Sequence, residues 1–182
     1  RGLAISPWGD MFGTGSEPED HRMYDGMRAM SAAASGRGQW HDLYATTLRR
    51  QLDLASDVAP VFANDLPDGE LTRKLTVAAR LINANVGMRV IDVSFSGFDN
   101  HEGQPADHLA LLRDLNTGLQ YFYGTLAPEL RQRVTLMTAS EFGRTPQSND
   151  SVGSDHGTSN VHFVIGNQVR GGAYGTPSSL TT

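Results

Sequence analysis

The chain has 182 residues, a net charge of −5 and no cysteine, with a pI near 5.6 and a mean hydropathy of −0.35. That length suits one domain able to bury a sizeable core, and the missing cysteines exclude disulfides, cysteine–zinc sites and thiol nucleophiles. Nearly all of the 15 basic residues are scattered arginines, which argues against a nucleic-acid-binding stripe, and no apolar run approaches the roughly 18 residues of a membrane span.

Residues 1–38, rich in Gly, Met and Ser, read as a loop-rich amino-terminal segment with one short helical stretch over Met23–Ala34. Residues 39–182 read as the main domain. Leu43, Leu48, Leu52 and Ala55 share one helical face over 40–59, before Pro60. A turn at Pro67-Asp68-Gly69 precedes a second amphipathic helix over 70–86, carrying Leu71, Leu75, Ala78 and Ile82 and closed near Gly87. Met88–Phe95 is β-branched, flanked by glycine and strand-like. A third helix is predicted from about Asp107 to Leu126, with Leu109, Leu112, Leu115, Leu119, Phe122 and Leu126 on one stripe. Arg133–Ala139 and Val161–Ile165 read as two further strands.

A strand–helix–strand order with a crossover helix predicts an α/β fold, its mostly parallel sheet flanked by helices. Loops 97–106 and 141–158 would then leave the carboxyl ends of parallel strands on one sheet edge, where open α/β sheets bind ligands.

Those loops carry the chemistry. Asp99 and His101 flank one residue, so an extended backbone turns both toward one cation; oxygen and imidazole ligands suit zinc, manganese or iron. An isolated Asp-x-His more often belongs to an ordinary surface turn. Asp155 and His156 form a second pair, in which both are ligands or Asp155 orients the imidazole; the plain alternative is a loop turn capped by Asp155. Glu141, just past a strand, is a ligand, a general base or a salt-bridge partner for Arg144. The forked donors of Arg144 suit a phosphate, sulfate or carboxylate. His162, inside a strand, reads as a packed histidine. No hydroxyl sits in a nucleophile elbow.

The strings Gly-Phe-Asp-x-His-x-x-Gln at 97–104, Ser-Glu-Phe-Gly-Arg-Thr at 140–145, Asp-His-Gly-Thr at 155–158, Gly-Gly-x-Tyr-Gly at 171–175 and Pro-Ser-Ser-Leu at 177–180 occur in that order. Over about residues 40–180 this resembles the bacterial family called domain of unknown function 1501, of the alkaline phosphatase and sulfatase superfamily. The resemblance implies an alkaline-phosphatase-like fold and a metal-dependent hydrolase of small anionic phosphate or sulfate esters, exported to the periplasm or beyond. Superfamily enzymes place a metal-binding Asp and a Ser or Thr nucleophile early in the chain. Neither can be located here, so this chain is expected to be a fragment with an incomplete fold. The enzymes also have an Asp and a His with three residues between them, where Asp99 and His101 have one. Where a second metal takes Asp-His-Gly, this chain has Glu141-Phe142-Gly143, an apolar ring in place of the imidazole. The resemblance therefore implies one divalent-metal site from Asp99, His101 and His156, with Asp155 and Glu141 as ligands or supports and Arg144 meeting the anion. The rival expectation is a non-catalytic exported binding or assembly protein of the same fold.

Overall fold

A computed structural model describes residues 5–6 and 18–176. The Pro-Ser-Ser-Leu string at 177–180 and most of the stretch before Pro18 lie outside the described residues. About half of the described residues are helical. Among the described residues the helices are α1 (Pro18–Ala34), α2 (Gln39–Val58), α3 (Glu70–Ala84), α4 (Gln104–Thr125) and the short α5 (Pro128–Arg131), with a 3₁₀ turn at Ala59–Phe62. The three long helices read from hydrophobic spacing all form, and α1 extends the Met23–Ala34 stretch back to Pro18.

The chain divides into two compact units, Arg1–Asp68 with Thr76–Ile91 and Gly69–Leu75 with Asp92–Thr182. In the first, Ala55 and Val58 of α2 pack with Val61, Val77 and Leu81. Arg80 closes the turn that follows by donating to the carbonyls of Val61, Asn64 and Asp65. In the second, Leu71 and Leu75 pack so closely on α4 that a Cβ at Gly118 would stand 2.9 Å from Leu75 Cδ1. Phe122 and Leu126 are also buried there. The inner stripe of α4 starts at Leu111 and Leu115, which are half-buried, and Leu109 and Leu112 face outward. Residues 111, 115, 118 and 122 keep the 3.6-residue period, so the helix and its spacing hold while the buried stripe is rotated at its amino-terminal end.

The mostly parallel, alkaline-phosphatase-like sheet does not form. The described residues contain two small antiparallel pairs, β1 (Thr135–Met137) with β4 (Val164–Gly166) and β2 (Gly143–Arg144) with β3 (His156–Gly157). Met88–Phe95 alternates between half-buried and exposed over residues 91–95, as a strand pattern should, yet pairs with no strand among the described residues. A parallel crossover needs both strands in one sheet. Here β1 finds its backbone partner in a segment running the opposite way, with Leu136 opposite Ile165. Gly166 permits that approach, since a Cβ there would lie 2.9 Å from Thr135 Oγ1. His162, expected to be packed, is exposed beside this pair.

With Leu81 2 % exposed in the first core, Leu81→Ala is expected to cost about 2–5 kcal/mol, read as a lower urea midpoint by circular dichroism.

Candidate metal centre

All the candidate site residues lie in the second unit. The first loop is fixed by aromatic contacts and a glycine. The Phe98 ring meets Phe95 and His108 edge to face, at 5.2 and 5.7 Å between centroids. Gly97 has φ +105°, a conformation open to glycine, and a Cβ there would also press to 3.0 Å from Leu111 Cδ2. Asp99 and His101 follow directly.

The second loop is laid across the first, backbone against backbone. β2 and β3 pair Gly143 with Gly157 and Arg144 with His156. A Cβ on Gly143 would lie 2.7 Å from the Gly157 carbonyl, and one on Gly157 2.7 Å from the backbone of Arg144 and Thr145. The tightest approach is at Gly153, where a Cβ would sit 2.1 Å from the His101 carbonyl oxygen. Val152 beside it has φ +58°, a left-handed conformation that is strained for a β-branched residue. The same turn caps α4. That helix has no side-chain cap, and the amides of Gly103 and Gln104 donate to the carbonyls of Ser151 and Val152. These bonds satisfy amides that would otherwise lack partners at a helix start.

This scaffold brings Asp99, His101 and His156 together, with one ligand atom from each within 4.8 Å of the others. Asp99 Oδ1 lies 3.1 Å from His101 Nε2 and 2.7 Å from His156 Nε2. His101 Nδ1 is held by Asp155 Oδ1 at 3.0 Å. A carboxylate thus faces each nitrogen of His101; a cation on the Nε2 side would leave the proton of the neutral ring on Nδ1, against Asp155. His156 is oriented differently. Its ring stacks on Phe142 at 4.3 Å and 10°, and among the described residues its Nδ1 has no hydrogen-bond partner.

The donor set fits a cation. Two imidazole nitrogens and a carboxylate oxygen are common ligands for a first-row metal. Ligands placed tetrahedrally around zinc at about 2.1 Å are about 3.4 Å apart, so Asp99 Oδ1 would have to draw back by about 0.3 Å from His101 Nε2 and about 0.7 Å from His156 Nε2. All three side chains are about half exposed, which leaves room for a water or substrate oxygen.

Arg144 differs from its expected part. Its guanidinium donates to the carbonyls of Phe98 and Ser154, tying the two loops together, and lies 3.8 Å from Asp99 Oδ1. Glu141 is exposed and forms no ion pair with Arg144 or any other described residue. Asp155 supports His101 and is not among the clustered ligands. Sequence reasoning missed Asn149. Its Nδ2 donates to His101 O at 2.9 Å and to Asp155 Oδ1 at 3.1 Å, while its Oδ1 accepts from the amides of Ser151 and Gly153. The only signal for it was its place in a Ser-Asn-Asp-Ser turn string.

Charge follows this geometry. The His156 hydrogen bond, reinforced by His101, holds the Asp99 carboxyl below its ordinary value. Bonding to His101, then to Asn149, does the same for Asp155. The Asp155 bond, with help from Asp99, raises His101 above 6.5.

The family described as "Protein of unknown function (DUF1501)" matches residues 19–181, and the chain belongs to that family. No curated protein and no solved structure matches it.

Two outcomes are expected. Gly153→Ala forces a Cβ into the His101 backbone and should lower stability by about 1–3 kcal/mol, measured by urea unfolding. In the metal-free protein, the His101 ion pairs contribute fully below the ordinary histidine pKa, and that contribution fades as pH rises through the raised one. A histidine NMR titration should place His101 above 6.5, and Asp155→Asn should move it down.

Proposed function

We propose that Asp99, His101 and His156 hold a divalent cation, zinc, manganese or iron, and that the protein hydrolyses small phosphate or sulfate esters there. One observation carries this reading: two imidazole nitrogens and a carboxylate oxygen converge while Asp155 occupies the far nitrogen of His101. A carboxylate–imidazole pair behind a ligand atom is the usual support of a metal-bound histidine. An ion there would polarise an ester oxygen and acidify a bound water.

The chain's own residues have separable tasks. Asp99, His101 and His156 supply the ligand atoms. Asp155 backs His101 so that, with an ion on the Nε2 side, the ring proton stays on Nδ1. Arg144 fixes the spacing of the two loops, since its forked donors reach one carbonyl on each; its charge also favours an anionic ester nearby. Glu141, exposed and outside the cluster, is proposed for proton transfer on its place in the 140–145 motif alone. Kinship with the alkaline phosphatase and sulfatase superfamily, and export from the cytoplasm, belong to the same proposal. They rest on the order of the motifs at 97–104, 140–145 and 155–158.

A second reading, a non-catalytic binding or assembly protein, is favoured by two observations. Phe142 stacks on His156 where the resemblance places an imidazole ligand, and the Arg144 amines are already engaged by carbonyls.

Elemental analysis of protein purified without chelator or metal-affinity tag decides the first step. His101→Ala should abolish bound zinc, manganese or iron, and Asp155→Asn should weaken binding about 10–100-fold. Unchanged metal content in His101→Ala would remove the assignment. Metal-dependent turnover of phosphate or sulfate esters supports the hydrolase, and a metal-loaded protein inert to both classes supports the second reading.

A further inference from the structure

Asn149 uses all of its side-chain bonding capacity at one place. Its Oδ1 accepts from Ser151 N and Gly153 N, each at 3.0 Å. That fixes the identity of the other atom, because a flipped amide would set donors against donors. Its Nδ2 therefore points at His101 O and Asp155 Oδ1. The main chain adds a bond from Asn149 N to Gly153 O at 2.8 Å. One side chain thus closes its own turn, grips the backbone of the His101 loop and holds the carboxylate oxygen that contacts His101 Nδ1.

Asp155 alone does not define that contact. Its side chain is more than half exposed, and an exposed carboxylate turns readily about its terminal torsion. The Asn149 amide takes the same oxygen, Oδ1, that faces the imidazole. It also ties that oxygen to the backbone carrying the imidazole, so ring and carboxylate share one frame.

We infer that Asn149 is a positioning residue of the metal centre: through its bonds to Asp155 Oδ1 and the His101 carbonyl it sets the ring orientation and tautomer of His101, and with them the affinity for the cation. The affinity part of this inference rests on the proposed metal site, whereas the ring orientation does not.

The turn-forming and positioning roles can be separated. Asn149→Asp keeps an acceptor of the same shape for Ser151 N and Gly153 N but removes both donors and sets a like charge beside Asp155. Asn149→Ser keeps a shorter, neutral acceptor that does not reach Asp155. Both variants, with wild type, are read in two ways. The first is the ¹⁵N spectrum of the metal-free His101 ring above its titration, which reports which nitrogen holds the proton. The second is competition binding of Zn²⁺ and Co²⁺, with thermal unfolding as a control for the fold.

In wild type a carboxylate faces each ring nitrogen, so the Nδ1–H form is expected beside a share of the Nε2–H form. In both variants the balance should move toward the Nε2–H form, and Zn²⁺ and Co²⁺ should bind about 10–100-fold more weakly with the fold retained. An unchanged tautomer balance in both folded variants overturns the inference. An unchanged metal affinity overturns its affinity part. If wild type binds neither metal while the variants still shift the balance, the proposed metal function fails and the positioning role of Asn149 stands.

Discussion

The His101 carbonyl is enclosed by the Cα of Gly153 on one side and accepts from Asn149 Nδ2. No residue with a Cβ fits that approach. The contact joins two segments about fifty positions apart in the chain, and the site is built outward from it. With the His101 backbone fixed, its ring falls between Asp99 and Asp155. With the 149–153 turn fixed, β3 carries His156 onto Asp99, and the start of α4 gains carbonyls for its free amides. Arg144 closes the same junction from the other end, one amine on each loop. The left-handed Val152 shows that the turn is held against local preference, as happens where surrounding contacts over-determine the backbone.

Around this junction the charges nearly compensate. Two carboxylates face two imidazoles and one guanidinium. Asp99 touches both rings and lies near Arg144, so its ionised form is favoured. A divalent ion could take over the role of imidazole protons, since all three ligand atoms already point at a shared space.

Much of the helical frame was legible. α2, α3 and α4 follow from leucines spaced at the helical period, a local property that the chain states directly. Pairing of strands is not local. Met88–Phe95 has the right alternation, and nothing in that pattern reveals that it finds no partner among the described residues or that β1 meets β4 in antiparallel register. The three glycine-flanked motifs lie near one another, but not by the route the parallel-sheet reading gave them. They meet through short antiparallel pairing and side-chain bonds, not along the edge of a parallel sheet. Asp99, His101 and His156 stood out as a group because imidazoles are few in this chain, with six His, and these two lie beside carboxylates and glycine. Asn149 was not, because an asparagine in a polar turn looks alike whether it serves its own turn or a neighbour. The part played by Arg144 was equally hidden, since a guanidinium that fits a phosphate fits two carbonyls as well.

The two imidazoles are backed by unlike means. Behind His101 stands a carboxylate, Asp155, which fixes the direction of the ring. Beside His156 lies the flat face of Phe142, which limits its tilt but offers it no hydrogen bond, so the direction of that ring depends on Asp99 itself, 2.7 Å from its Nε2. Asp99 is therefore both a member of the cluster and the support of one of its rings. Were an ion to draw Asp99 away, His101 would keep its backing and His156 would keep only an aromatic wall, a residue with no atom suited to touch a metal.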